Sequence, residues 1–329
     1  MRSLMFLSLM AGLAAAPAIA QDHDFFPEDV QVDPLHPGAA AGPALGEHRF
    51  VLSFEPSAIR EIGLIRSKFQ KDGIFAEILD ELADQIALPV DIPITFTDCG
   101  GPNAFWSPND QAITFCYELV ALYNETYQHI EGQEGDLFRW ADQDAVLTGT
   151  TLFVLLHELG HGLTALYDLP ITGREEDAVD QFAALTLIGA DEPGDSFEER
   201  PSRIALLGAY FFKQLSRAPE SFTRDIFSNE HSLGQQRYFD VMCLVLGSDI
   251  DVYAPILTPG MVMVFDTVDK NPDDFDQDKV MDWLEKTDAL NILPAARALR
   301  CPQEFARYDA SWDYIVDTFM TVQQDAAQP

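Results

Sequence analysis

Residues 153–163, FVLLHELGHGL, set two histidines and a glutamate inside an otherwise apolar run. A stretch apolar on most sides reads as a buried helix. Helical spacing of four then puts His157 and His161 on one face, about one turn apart, so that both rings can reach a single point. Glu158 lies displaced around the helix but is long enough to reach a water held at that point. Burying this carboxylate without a partner would cost several kcal/mol or force it neutral, and a divalent metal with a bound water removes that penalty. This is the mechanical content of an H-E-x-x-H pattern, which ordinary residue frequencies would produce in only about one chain of this length in 100.

A catalytic zinc usually holds three protein ligands and leaves one position for water. The longer pattern HExxHxxGxxH is excluded, because Thr164 and Tyr167 stand where its glycine and last histidine would be. A turn marked by Pro170 and Gly173 leads instead to a second helix, expected to begin near Glu175, in GREEDAVDQFAALTLI. Glu176 and Asp180 are four apart and share a face with Ala183 and Leu187, which reads as the inward face. Glu176 is therefore the expected third ligand. Asp180 is expected to accept a hydrogen bond from the non-ligating nitrogen of a zinc histidine, His157. Glu175 is the rival ligand, since Val179 and Phe182 also suggest an inward face, but it has no carboxylate four residues on. Asp177 reads as a solvated first-turn acid favoured by the helix N-terminus.

The first twenty residues combine Arg2, an apolar run and Ala18-Ile19-Ala20, the form of a secretory signal peptide. A mature chain from Gln21 has 329 − 20 = 309 residues, enough for a sizeable core. No later run has the eighteen or so apolar residues a membrane span needs. The formal charge of −34 argues against nucleic acid and anionic membrane as partners. Four cysteines in an exported chain favour two disulfides, with Cys99–Cys116 and Cys243–Cys301 the preferred pairing.

Residues 21–46 are rich in Pro and Asp and read as an extended, poorly ordered acidic arm carrying His23 and His36. A strand is expected in HRFVLSFEP, then a helix through FAEILDELADQIA. IPITFTDC and QAITFCYEL read as strands joined irregularly through GGPNAFWSPND. Beyond the second site helix, four amphipathic stretches make the C-terminal half mainly helical: PSRIALLGAYFFKQLS, SLGQQRYFDVMCLVLG, DKVMDWLEK and ASWDYIVDTFM. The acidic patch DKNPDDFDQDKV lacks the glycine and bidentate glutamate of a calcium loop and reads as a solvated turn. His48 and His129 read as structural.

Across residues 157–184 the pattern H-E-L-G-H with P-I-T-G-R-E-E-D-A-V-D-Q-F-A-A resembles a secreted bacterial family of unknown function described as zinc metallopeptidases, and is more distantly similar to the thermolysin-like, glutamate-ligand zincins. The likeness extends over roughly residues 48–315. It implies one Zn2+ per chain on His157, His161 and Glu176, Glu158 as general base, Asp180 orienting a histidine, and a peptide or protein as substrate. The Asn-Ala-Phe-Trp of the cysteine-flanked segment is similar to an edge strand that binds peptide, which implies that Asn103 and Ala104 pair with substrate. His231, placed just before a helix start by an expected Ser232–Gln235 capping box, would donate to the oxyanion. Arg237 could serve instead, or could pair with Asp240.

The expected fold is α+β and zincin-like: a small N-terminal mixed sheet with an active-site helix, followed by a mainly helical C-terminal lobe. The lobes would span about 47–168 and 169–329 with the cleft between them. The expected function is a zinc-dependent peptidase outside the cytoplasm, periplasmic or extracellular; the alternative is an inactive zinc-stabilised peptide-binding protein.

Overall fold

A computed structural model of the chain describes residues 44–57, 59–128, 132–215, 230–270 and 276–321. The expected leader, most of the expected arm with His23 and His36, His129, and the centre of the 269–280 acidic patch lie outside the described residues.

Four strands, β1 (Phe50–Phe54), β2 (Ile92–Thr97), β3 (Ala104–Ser107) and β4 (Ala112–Cys116), form one mixed sheet in the order β1-β2-β4-β3. β1 runs parallel to β2 and β2 to β4, whereas β3 pairs antiparallel to β4 and so stands at the edge. Alternation along β2 buries Ile92, Ile94 and Phe96, as period two requires for one covered face. In register with Phe96 lie Phe54 and Phe115, whose rings stack on it at 4.9 and 4.8 Å. Helices α1 (Arg60–Asp72) and α2 (Ile74–Gln85) cover this face through Phe69 and Phe75. They are joined at Gly73, whose φ of +71° suits a residue without Cβ.

The remaining α-helices among the described residues are α3 (Tyr117–Tyr127), α4 (Gly132–Leu137), α5 (Gln143–Leu166), α6 (Glu175–Gly189), α7 (Arg203–Leu215), α8 (Gly234–Ser248), α9 (Ile250–Leu257), α10 (Pro259–Lys270), α11 (Gln277–Thr287), α12 (Ala295–Ala298) and α13 (Cys301–Ile315). The fold is thus α+β, with a small mixed sheet followed by helices. The long helix α5 starts at Asp142, whose side chain accepts from the Ala145 N–H at 2.8 Å. It packs against α3, α6, α7 and the β3–β4 hairpin, which is why its apolar run extends around most of its circumference.

The fold departs from the sequence expectations at several points. The stretch read as an irregular connection contains β3. Residues 250–270 fold as α9 and α10, which the sequence reading left unassigned. Pro255 lies inside α9, while Pro259 begins α10, where a missing N–H costs nothing. Helix α8 starts at Gly234, so the capping pair shifts by one: Gln236 Oε1, not Gln235, accepts, and the donor is the Leu233 N–H at 3.1 Å. Both disulfides form, Cys99–Cys116 and Cys243–Cys301. Among the described residues no helix is long and apolar enough to cross a membrane.

Candidate metal centre

Two helices build the centre. His157, Glu158 and His161 come from α5, and Glu175, Glu176 and Asp180 from α6. The helices approach closely because Gly160 faces Val179: a Cβ at position 160 would lie 2.8 Å from the Val179 Cβ. On the other flank Gly162 meets the Trp106 ring of β3, where an added Cβ would sit 3.0 Å from it. The glycines at 160 and 162 therefore let α5 lie against both α6 and the edge strand.

His157 Nδ1 lies 2.8 Å from Asp180 Oδ1, and His161 Nδ1 lies 2.7 Å from Glu175 Oε1. Each ring thus donates from Nδ1 to its own carboxylate, and this leaves both Nε2 lone pairs free to ligate. Both Nε2 atoms turn to Glu176, at 3.3 Å from Oε2 for His157 and 3.4 Å from Oε1 for His161. Two ligands held at roughly 2.0–2.1 Å by one tetrahedral ion would lie roughly 3.3–3.4 Å apart, and each imidazole keeps about this distance from one of the two carboxylate oxygens. Glu176 Oε2 is buried and accepts no aligned hydrogen bond. One donor atom from each of His157, His161 and Glu176 lies within 4.8 Å of the others.

Asp180 is buried and is held from behind by Arg237, with Nε 2.6 Å from Oδ2 and Nη2 2.7 Å from Oδ1. The guanidinium lies 3.4 Å over the Phe212 ring. Arg237 therefore does not pair with Asp240, which binds Arg297 instead at 3.0 Å. With Nε and Nη2 on Asp180 and the side chain buried, it is an anchor of the carboxylate behind His157.

The electrostatics follow from this packing. Burial disfavours the charged form of His157, but the carboxylates of Asp180 and Glu176 outweigh it and hold its pKa up at about 9. His161 is raised too, burial being overcome by Glu176 and Glu175. Burial also opposes the charged forms of Glu176 and Asp180. The surrounding histidines win for Glu176, and Arg237 with His157 wins for Asp180, so both carboxyls are held below their ordinary range. Glu158 moves the other way, because burial raises it more than the two histidines and the Trp106 N–H lower it.

A cavity of about 980 Å³ opens over the centre, lined by Asn103, Ala104, Trp106, Glu158, Glu176 and His231 among others. The Asn103 carbonyl accepts from Cys116 N–H at 2.9 Å and so faces β4. Antiparallel alternation then points the backbone groups of Ala104 and Trp106 at the free edge. The Trp106 N–H confirms the direction by donating to Glu158 Oε2 at 3.1 Å. Of the pair expected to face substrate, Ala104 has its backbone at the open edge and Asn103 has its carbonyl turned inward. His231 Nε2 lies 3.0 Å from Glu176 Oε2. A separate group, Cys99, Cys116 and Glu118, also comes together, but its sulfurs are joined in a disulfide.

Sequence reasoning missed three contributions. Trp106 acts through a backbone N–H, which no side-chain pattern reveals. Glu175, weighed only as a competing ligand, bonds the outer nitrogen of His161; the rule that each ligating ring needs its own acceptor was the available signal. The Arg237 contact with Asp180 spans 57 positions, beyond any local pattern.

The sequence profile of a family described as "Putative metallopeptidase" matches residues 54–277. No curated protein and no solved structure matches the chain.

Proposed function

The chain belongs to that metallopeptidase family, and on this footing we propose that it is a zincin-like zinc peptidase in which His157, His161 and Glu176 hold one ion and Glu158 moves the proton. One observation carries the reading: both imidazoles spend Nδ1 on a carboxylate and turn Nε2 toward Glu176 at 3.3 and 3.4 Å. Two neutral imidazoles and a carboxylate suit Zn2+ by donor type. When bound, the ion supplies Lewis acidity toward a water and a carbonyl oxygen.

The chain's own groups do the rest. Glu158 accepts the proton of the attacking water and returns it to the leaving amine. Its burial keeps its basicity above that of a solvated carboxylate, and the Trp106 N–H fixes one of its oxygens. The Ala104 backbone at the open edge of β3 receives an extended peptide by strand addition, which lays a scissile bond beside Glu158. His231, lining the same cavity, is placed to donate to the oxygen that gains negative charge. Arg237 has a positioning role, fixing Asp180 and through it the His157 ring. Export through the leader at residues 1–20, to periplasm or medium, accords with two disulfides.

The test is digestion of an unstructured protein substrate by the purified mature chain, before and after chelation and after return of Zn2+. Fragments that vanish on chelation and reappear with zinc support the reading. Tight peptide binding without fragments would identify a peptide-binding protein instead.

A further inference from the structure

We infer a second, weaker divalent-cation site adjoining the first at Glu176, formed by Glu176, Glu230 and His231; it rests on the reading of Glu176 as a ligand of the first ion. One donor atom of each of these three residues lies within 4.8 Å of the other two. The group shares only Glu176 with the set His157, His161 and Glu176. His161 Nε2 approaches Glu176 Oε1 at 3.4 Å, while Oε2 is approached by both His157 Nε2 at 3.3 Å and His231 Nε2 at 3.0 Å. That second oxygen is buried yet accepts no aligned hydrogen bond, so it stands between the two groups, where a carboxylate oxygen can bridge an ion in each. This corner is tied to the start of α6, because Arg174 Nη1 donates to the Glu230 carbonyl at 3.4 Å.

The donor set defines the ligand class. One imidazole and two carboxylates suit Zn2+, Co2+ or Mn2+ and are too few and too nitrogen-rich for a good calcium cage. Affinity should be lower than at the first site, since Glu230 and His231 are 79% and 41% exposed and must be ordered on binding. Occupation would engage Glu176 Oε2 and His231 together, so excess cation would act on the carboxylate of the first site and on the proposed oxyanion donor at once.

The test is equilibrium dialysis of chelator-treated, gel-filtered mature protein against Zn2+, for the native chain and for Glu230→Gln, His231→Ala and His161→Ala. The native chain should bind two ions, the second at least tenfold more weakly. Glu230→Gln and His231→Ala, surface changes whose folding is checked by thermal melting, should each bind one. A native chain that saturates at one ion, lost in His161→Ala, would overturn this inference and leave the first site intact. A weak second ion kept by both surface variants would also overturn it, placing that ion elsewhere on the acidic surface. A native chain that binds no tight ion would overturn the reading of the first site.

Discussion

The backbone N–H of Trp106 donates to Glu158 Oε2 at 3.1 Å, so the edge strand proposed to receive a peptide also fixes the carboxylate proposed to act on it. Glu158→Gln keeps the shape and removes the base. Peptidase kcat should fall at least about 100-fold with zinc content unchanged, as read by steady-state kinetics and elemental analysis in parallel. An undiminished kcat would remove Glu158 from the proton path.

Asp180 and Arg237 form a buried pair behind His157. Arg237→Ala leaves a buried carboxylate with one partner fewer, at a cost of about 3–5 kcal/mol, measured by denaturant unfolding. Arg139→Ala, which breaks an exposed pair with Asp136, should stay within about 0.5 kcal/mol. Asp180→Asn should weaken zinc binding by about 10- to 100-fold through loss of the acceptor that orients His157. Equal stability of Arg237→Ala and the native chain would contradict this role.

The helix pair that carries the centre depends on Gly160. Gly160→Ala would place a Cβ 2.8 Å from Val179 Cβ and 3.2 Å from its Cα. The clash, about 1–3 kcal/mol, outweighs the gain in helix propensity of about 1 kcal/mol. Both melting temperature and zinc affinity should fall, because relief of the clash separates His157 and His161 from Glu176. A stabilised variant with native zinc affinity would show that the approach of α5 and α6 is not limiting.

Much of this was legible in the sequence. Four-residue spacing placed His157 with His161 and Glu176 with Asp180, since each pair needs only one helix to be right. The start of α6 at Glu175 was readable from the preceding Pro and Gly. What was hidden required partners distant in sequence or groups without side-chain identity. β3 is only four residues long, and its own burial pattern shows no clean alternation. The prolines at 255 and 259 obscured α9 and α10. Glu175 lies off the face shared by Glu176 and Asp180, yet a long side chain in the first turn can still reach the ring of His161.

Metal uptake should depend on pH in a direction fixed by His157. In the metal-free protein its pKa is raised from 6.5 to about 9, Asp180 and Glu176 overcoming the opposing effect of burial. That protonated ring stabilises the metal-free fold fully below about pH 6.5, and the contribution is lost as pH rises through about 9. Asp180 and Glu176, both lowered, contribute above the ordinary carboxylate range and lose that contribution as pH falls through their depressed values. Zinc must displace the His157 proton, so its apparent affinity should climb about tenfold per pH unit for each proton released, levelling near pH 9. Calorimetry in buffers of different ionisation enthalpy reads the proton count. Zinc affinity flat from pH 6.5 to 9 would contradict the coupling.

Elemental analysis of the gel-filtered chain beside Glu176→Ala and Glu175→Ala is the most direct check on the centre itself. One tightly held zinc per native chain, lost in Glu176→Ala and kept at reduced affinity in Glu175→Ala, is the predicted result. A full equivalent held with native affinity by Glu176→Ala, or a native chain that takes up no zinc, would contradict the account.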